Sequence, residues 1–155
     1  MIVMVMLAET PPSYSITNLM AWVGTSISPS NVSNLPQRVS TNPGATVLGY
    51  IRSLISNDCF DNFYHMSPAK RLRLAGTTNI NNLPLQYIES YTNHPPDSSV
   101  RILSLSNVCT NGNVFSFNMT LEEIHVNEVF ASTGQIELVY TNASWKIDSD
   151  RSIYE

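Results

Sequence analysis

Charge is scarce in this chain. Asp, Glu, Lys and Arg make up 13% of its 155 residues, against about 25% in an ordinary soluble domain. Eight Lys and Arg against twelve Asp and Glu leave a net charge of −4. The cations form no cluster beyond Lys70, Arg71 and Arg73. That excludes nucleic acid as a partner and leaves no polybasic face for an anionic membrane. No apolar run approaches the roughly 20 residues of a spanning helix, so no transmembrane segment is expected. The two cysteines, Cys59 and Cys109, lie in no metal-ligand spacing. They form either a disulfide or, on the plainer reading, two buried free thiols. The six glycines make no phosphate-cradling loop, and no serine sits in a nucleophile-elbow context. Neither a metal nor a cofactor is implied.

Asparagine and serine stand where the charges are missing, with 16 Asn and 20 Ser. At 43% hydrophobic, the chain can still bury a core, and its length suits one domain. Residues 1–8 read MIVMVMLA. Two readings stand for them. One is the end of an export signal cleaved after Ala8, although no basic residue precedes it. The other is an apolar arm or buried strand. Exported and cytoplasmic locations therefore both remain open. Residues 1–42 are rich in Ser, Asn and Pro and read as an N-terminal arm. Ile16, Leu19, Met20 and Val23 suggest one short helix inside it, stopped at Gly24.

Residues 43–155 read as the domain proper. Asn42-Pro43 is a cap followed by a proline at the first helical position. Val47, Leu48, Ile51, Leu54 and Ile55 then form one apolar stripe, which predicts a helix over 43–56. A short helix over 58–66 follows, capped by Asp58 and turning Phe60, Phe63 and Tyr64 one way. A third runs from about Pro84 to Thr92, with Leu85, Ile88 and Tyr91 as its stripe. Beyond residue 97 the apolar period becomes two. Val100–Cys109 reads as a strand that is apolar on both faces, and Asn111-Gly112 as a hairpin turn. Phe115, Phe117, Met119 and Leu121 face inward on the return strand. Ile124 and Val126 break that alternation, which suggests a bulge near Glu122-Glu123. Strands over Gln135–Thr141 and from Trp145 to about Ile153 complete a meander.

Helices followed by a meander give an α+β fold. The expected form is N-terminal helices on a strongly bent antiparallel sheet of four or more strands, cone-like and cystatin-like in topology. Two stretches carry a family resemblance. One is Val47 to Asp58 with Phe60, Phe63 and Tyr64 after it. The other is Ile136 to Asp148, a closing hairpin with Trp145 and Ile147 inside. Over residues 43–155 the chain resembles the nuclear transport factor two-like superfamily, including its SnoaL-like and ketosteroid isomerase-like members. The resemblance implies a cavity at the cone's mouth. In isomerase-like members a strand-borne acid shuttles the proton, while a Tyr or protonated acid holds the oxyanion.

By position, Tyr50 is the residue that could line such a cavity, and no base matches beside it. Asp61 and His125 are the other catalytic candidates. Asp61 lies in a helix's first turn, where capping explains it. His125 shares a strand face with Glu123, a polar pair with no third metal ligand. His65 ends a helix, where a partly charged imidazole is favourable. Lys70, Arg71 and Arg73 form a solvated turn between helices, or meet an anion at the cone's entrance. The expected pocket lining is Tyr50, Leu54, Tyr87, Tyr91, Phe117, Met119 and Trp145, with core the safer role for Phe117 and Trp145. The favoured reading is a non-enzymatic domain that binds a small apolar molecule or a protein partner, as a homodimer. The alternative is a small SnoaL-like enzyme, an isomerase, hydrolase or dehydratase, using a pocket Tyr and an acid. On either reading, partners are not chosen by charge.

Overall fold

A computed structural model describes Pro11, residues 13–92 and residues 98–151. The segment 1–8 and the break at His94 lie outside these residues. The order of elements is α1 (Thr17–Met20), β1 (Ser26–Ile27), α2 (Pro43–Ile55), α3 (Cys59–Tyr64), α4 (Pro68–Ala75), α5 (Leu85–Thr92), β2 (Ser99–Asn111), β3 (Val114–His125), β4 (Glu128–Thr141) and β5 (Ser144–Arg151). The five strands form one antiparallel sheet in the order β1-β2-β3-β4-β5. It curls into a half-barrel against the helices, an α+β architecture compatible with a cone.

Local chemistry places the helix ends. The Asn42 side chain accepts from the Ala45 N–H at 2.9 Å, and Pro43 opens α2. Asp58 does the same for α3 through the Asp61 N–H at 3.1 Å. The connection expected after Pro68 is instead α4. Ser67 caps it through the Lys70 N–H at 3.1 Å, Pro68 takes the first turn, and Gly76 ends it at φ 72°. Cap and proline are the same signals that open α2, and the left-handed glycine is a usual helix stop.

The sheet's inner face follows the alternation. Phe115, Phe117, Met119, Leu121, Ile136, Leu138, Trp145 and Ile147 are all buried against the α2 stripe. The arm is not separate from this core, because Leu19, Ile27 and Leu35 are buried in it.

Several expectations change. β3 has no bulge at Glu122-Glu123, since it pairs with β4 without interruption to His125↔Glu128. The irregularities lie on β2, between Ile102 and Ser104 and between Ser106 and Cys109. Ile124 lies opposite Val129, and Val126 is in a turn at φ 56°. β2 is apolar on both faces only by composition, because Leu103 and Val108 are exposed. The first hairpin turns on Gly112-Asn113 rather than Asn111-Gly112, with Gly112 at φ 61°. Leu85 is 69% exposed, and α5 packs through its tyrosines instead. Cys59 is buried and Cys109 exposed, both free.

His65 also departs from expectation. Its ring is fully buried, with Nδ1 2.7 Å from the Asp61 carbonyl. Burial lowers its pKa to about 4, helped by Lys146, Arg38 and Arg71. The imidazole is therefore neutral rather than partly charged, and Nδ1–H donates to the carbonyl. Gly49 on α2 makes room for it, since a Cβ there would overlap Nε2.

Two outcomes follow from this packing. Gly49→Ala should cost about 1–3 kcal/mol in urea unfolding, as overpacking does. The unfolded imidazole titrates near its ordinary 6.5 and the folded one near 4, so the unfolded chain takes the proton first. His65's contribution is full above pH 6.5 and falls by about 2 kcal/mol by pH 5. Urea midpoints across that window should fall for the wild type and flatten in His65→Asn. Parallel slopes for the two proteins would refute the assignment.

Candidate functional site

Four helices border a small, half-open cavity. Its volume is about 220 Å³, and Tyr50, Leu54, Asn62, Met66, Lys70, Leu74, Tyr87 and Tyr91 line it. Tyr50 and Leu54 come from α2, Asn62 from α3, Lys70 and Leu74 from α4, and the two tyrosines from α5. A second, more open cavity of about 390 Å³ lies between α4 and α5 and shares Leu74 and Tyr87 with the first.

The polar side of the cavity is organised by Asp150 on β5. Its Oδ2 accepts from the Tyr50 hydroxyl at 2.9 Å, and its Oδ1 from Lys70 Nζ at 2.6 Å. Lys70 is 1% exposed and Asp150 fully buried. Burial of two such charges is tolerable only when they are paired and hydrogen-bonded. Ser67 Oγ donates to Asp148 Oδ1 at 2.6 Å, a second tie between α4's cap and β5. Across the cavity, the Tyr91 hydroxyl donates to the Ser53 carbonyl at 2.9 Å. Asn62 Nδ2 donates to Ser53 Oγ at 3.0 Å. Burial raises the pKa of Tyr91 and pushes Tyr87 up to about 12. Both phenols therefore keep their protons at neutral pH and act as hydrogen-bond donors.

Of the expected lining, Tyr50, Leu54, Tyr87 and Tyr91 share this cavity. Phe117, Met119 and Trp145 do not. They are at most 1% exposed and sit in the core, because the cone narrows and fills below its mouth. Asp61 does not line the cavity either. It is buried beneath Arg38, Nε to Oδ1 at 3.3 Å, and burial then Asp58 raise its pKa against the pull of Arg38. His125 stands 3.3 Å from Glu123 and edge-on to Phe130, at the far end of β3. Among the described residues no three His, Cys, Asp or Glu side chains gather as a metal site.

Lys70 and Asp150, together with the lining residues Asn62, Met66 and Leu74, are the members of the site that sequence reasoning missed. Lys70 was hidden in an apparent basic turn that the structure takes apart. Lys70 points inward, Arg71 caps α3 through the Phe63 and Tyr64 carbonyls, and Arg73 reaches the Asp148 carbonyl. The Ser67-Pro68 cap was the available signal, since a helix from Pro68 separates those three directions. Asp150 had none beyond its inward phase with Ile147 across a register shift in β5. No family model and no curated protein matches the chain.

Removing one partner of the buried pair leaves an uncompensated charge. Lys70→Met and Asp150→Asn should each cost about 3–5 kcal/mol. Lys70→Met combined with Asp150→Asn should cost clearly less than the two single changes summed. Strict additivity in denaturant titrations would show that the pair does not act as a unit.

Proposed function

We propose that this chain is a non-enzymatic binding domain of the nuclear transport factor two-like kind, whose cavity takes a small, mostly apolar, uncharged ligand. One observation carries the reading. The acid bonded to the Tyr50 phenol, Asp150, has both oxygens engaged, by Lys70 and by Tyr50. A carboxylate held this way is poorly placed to take a proton from a substrate. The Lys70–Asp150 charges also cancel, so the site offers little to an ion. What remains is Leu54, Met66 and Leu74 with phenol and amide groups, a mix typical of small-molecule sites. The volume lies below the usual range of drug-sized pockets, about 300–1,000 Å³. That favours a ligand no larger than a fused bicyclic ring.

The probe 1-naphthol tests this by titration calorimetry. We expect one site in the wild type and at least tenfold weaker binding in Leu54→Trp, which fills the cavity, with circular dichroism unchanged. Equal binding in the two proteins would sink the reading.

The enzymatic alternative has its own support, the hydrogen bond between Tyr50 and a buried strand-borne acid. It predicts that the protein exchanges the α-protons of a small cyclic ketone into D2O, and that Tyr50→Phe abolishes the exchange. Absence of exchange in the wild type leaves the binding reading. A homodimer belongs to the same proposal. Val129 and Phe130, 60% and 52% exposed on β4, are apolar side chains that a second copy would cover. Sedimentation equilibrium should show a dimer, and a clean monomer removes that part.

A further inference from the structure

Outside the cavity, three cations gather around the last turn of α3. Lys146 Nζ lies 3.5 Å from the centre of the Tyr64 ring and donates to the Tyr64 carbonyl at 2.6 Å. The Arg38 guanidinium lies 5.5 Å from the same ring. Arg71 lies 4.8 Å from the Phe63 ring and donates to the Phe63 and Tyr64 carbonyls at 3.0 and 3.1 Å. Asp61 is the carboxylate paired with this group, through Arg38 Nε. With Asp58 beside Asp61, the local balance is three positive charges to two negative, in a chain whose net charge is −4.

Helix-end carbonyls and ring faces account for Arg71, whose guanidinium nitrogens are all bonded to backbone oxygens. They do not account for the rest. Arg38 uses Nε alone, and its side chain is 47% exposed. Lys146 uses one of its three N–H groups. Burial lowers the Lys146 pKa to about 8, and repulsion from the neighbouring Arg71 and Arg38 charges adds to the fall.

We propose that Arg38 and Lys146, brought together over the Tyr64 ring, form a binding site for a phosphate-type oxyanion. The guanidinium supplies two planar donors and the ammonium a point charge, a combination suited to a tetrahedral anion. The site is independent of the neutral cavity. It brings charge-based recognition to a chain whose composition argues against it.

The probe is inorganic phosphate, compared with chloride at equal ionic strength and pH. Thermal unfolding of the wild type should rise with phosphate in a saturable way, as binding to the folded state requires. Arg38→Gln and Lys146→Met should each weaken the apparent affinity at least tenfold. Phosphate should also shift the NMR signals of the Lys146 amide and the Arg38 Nε–H in the unmodified protein, which keeps the test valid if a variant fails to fold. A phosphate response no larger than that of chloride, with no shift at those signals, overturns the proposal. So does a saturable response that both variants retain.

Discussion

The buried pair of Lys70 and Asp150 is the constraint around which the upper half of this molecule is arranged. Neither charge could stay in a low-dielectric interior alone. Their separation of 2.6 Å therefore ties α4 to β5, two elements 80 residues apart in the chain. With that tie in place, α4 lies across the mouth of the sheet, and Leu74 on its next turn becomes a wall of the cavity. Tyr50 joins the same carboxylate from α2, so three elements meet at one group. The cavity exists because these polar bonds hold the helices apart at a level where apolar side chains would close the gap.

Below that level nothing holds the layers apart. Trp145 stacks edge-on against Phe115 and Tyr140, with ring centres 6.2 and 5.5 Å away, and its indole N–H donates to the Ser13 carbonyl at 2.9 Å. Such edge-to-face contacts fill the narrow part of the curled sheet. The boundary between filled core and open mouth thus follows side-chain chemistry. Aromatic rings whose polar atoms are few interdigitate, while the phenols of α2 and α5 keep a space where their hydroxyls can reach partners.

Period and punctuation carried most of the fold in the sequence. The α2 stripe, the two-residue alternation of β3 and the inward Trp145 follow from side-chain spacing, which is local. α4 was legible in principle, because Ser67-Pro68 is the same cap-proline pair that announces α2, and Gly76 is a usual helix stop. Its apolar residues, Leu72 and Leu74, face outward by 55% and 45%, so no stripe drew attention to it. The site was legible only in its aromatic half. Tyr50, Leu54, Tyr87 and Tyr91 stand out as large residues on helix faces. Lys70 and Asp150 look like surface charges in sequence, since a buried ion pair leaves no periodic trace. Its members depend on each other across the fold, not on their neighbours.

The scarcity of charge takes on a different meaning in this light. Seven of the eight Lys and Arg have described side chains, and each has a specific partner. Arg52 holds the Leu35 carbonyl at 2.8 Å, and Arg101 faces Glu122 at 3.7 Å. Lys70 is buried with Asp150, while Arg71, Arg73 and Lys146 serve backbone carbonyls. In an ordinary domain many cations are solubility groups whose removal changes little. Here Asn, Ser and Thr coat the outer strand positions, as at Ser116, Asn118 and Thr120, and take over that work. The cations that remain are architectural, so a change at one of them acts on folding before it acts on surface charge. Arg38 is the exception that sharpens the point. It meets Asp61 with one nitrogen and leaves the rest of its guanidinium toward solvent. In a chain that places its charges so sparingly, that unused capacity beside Lys146 is itself an argument for a ligand.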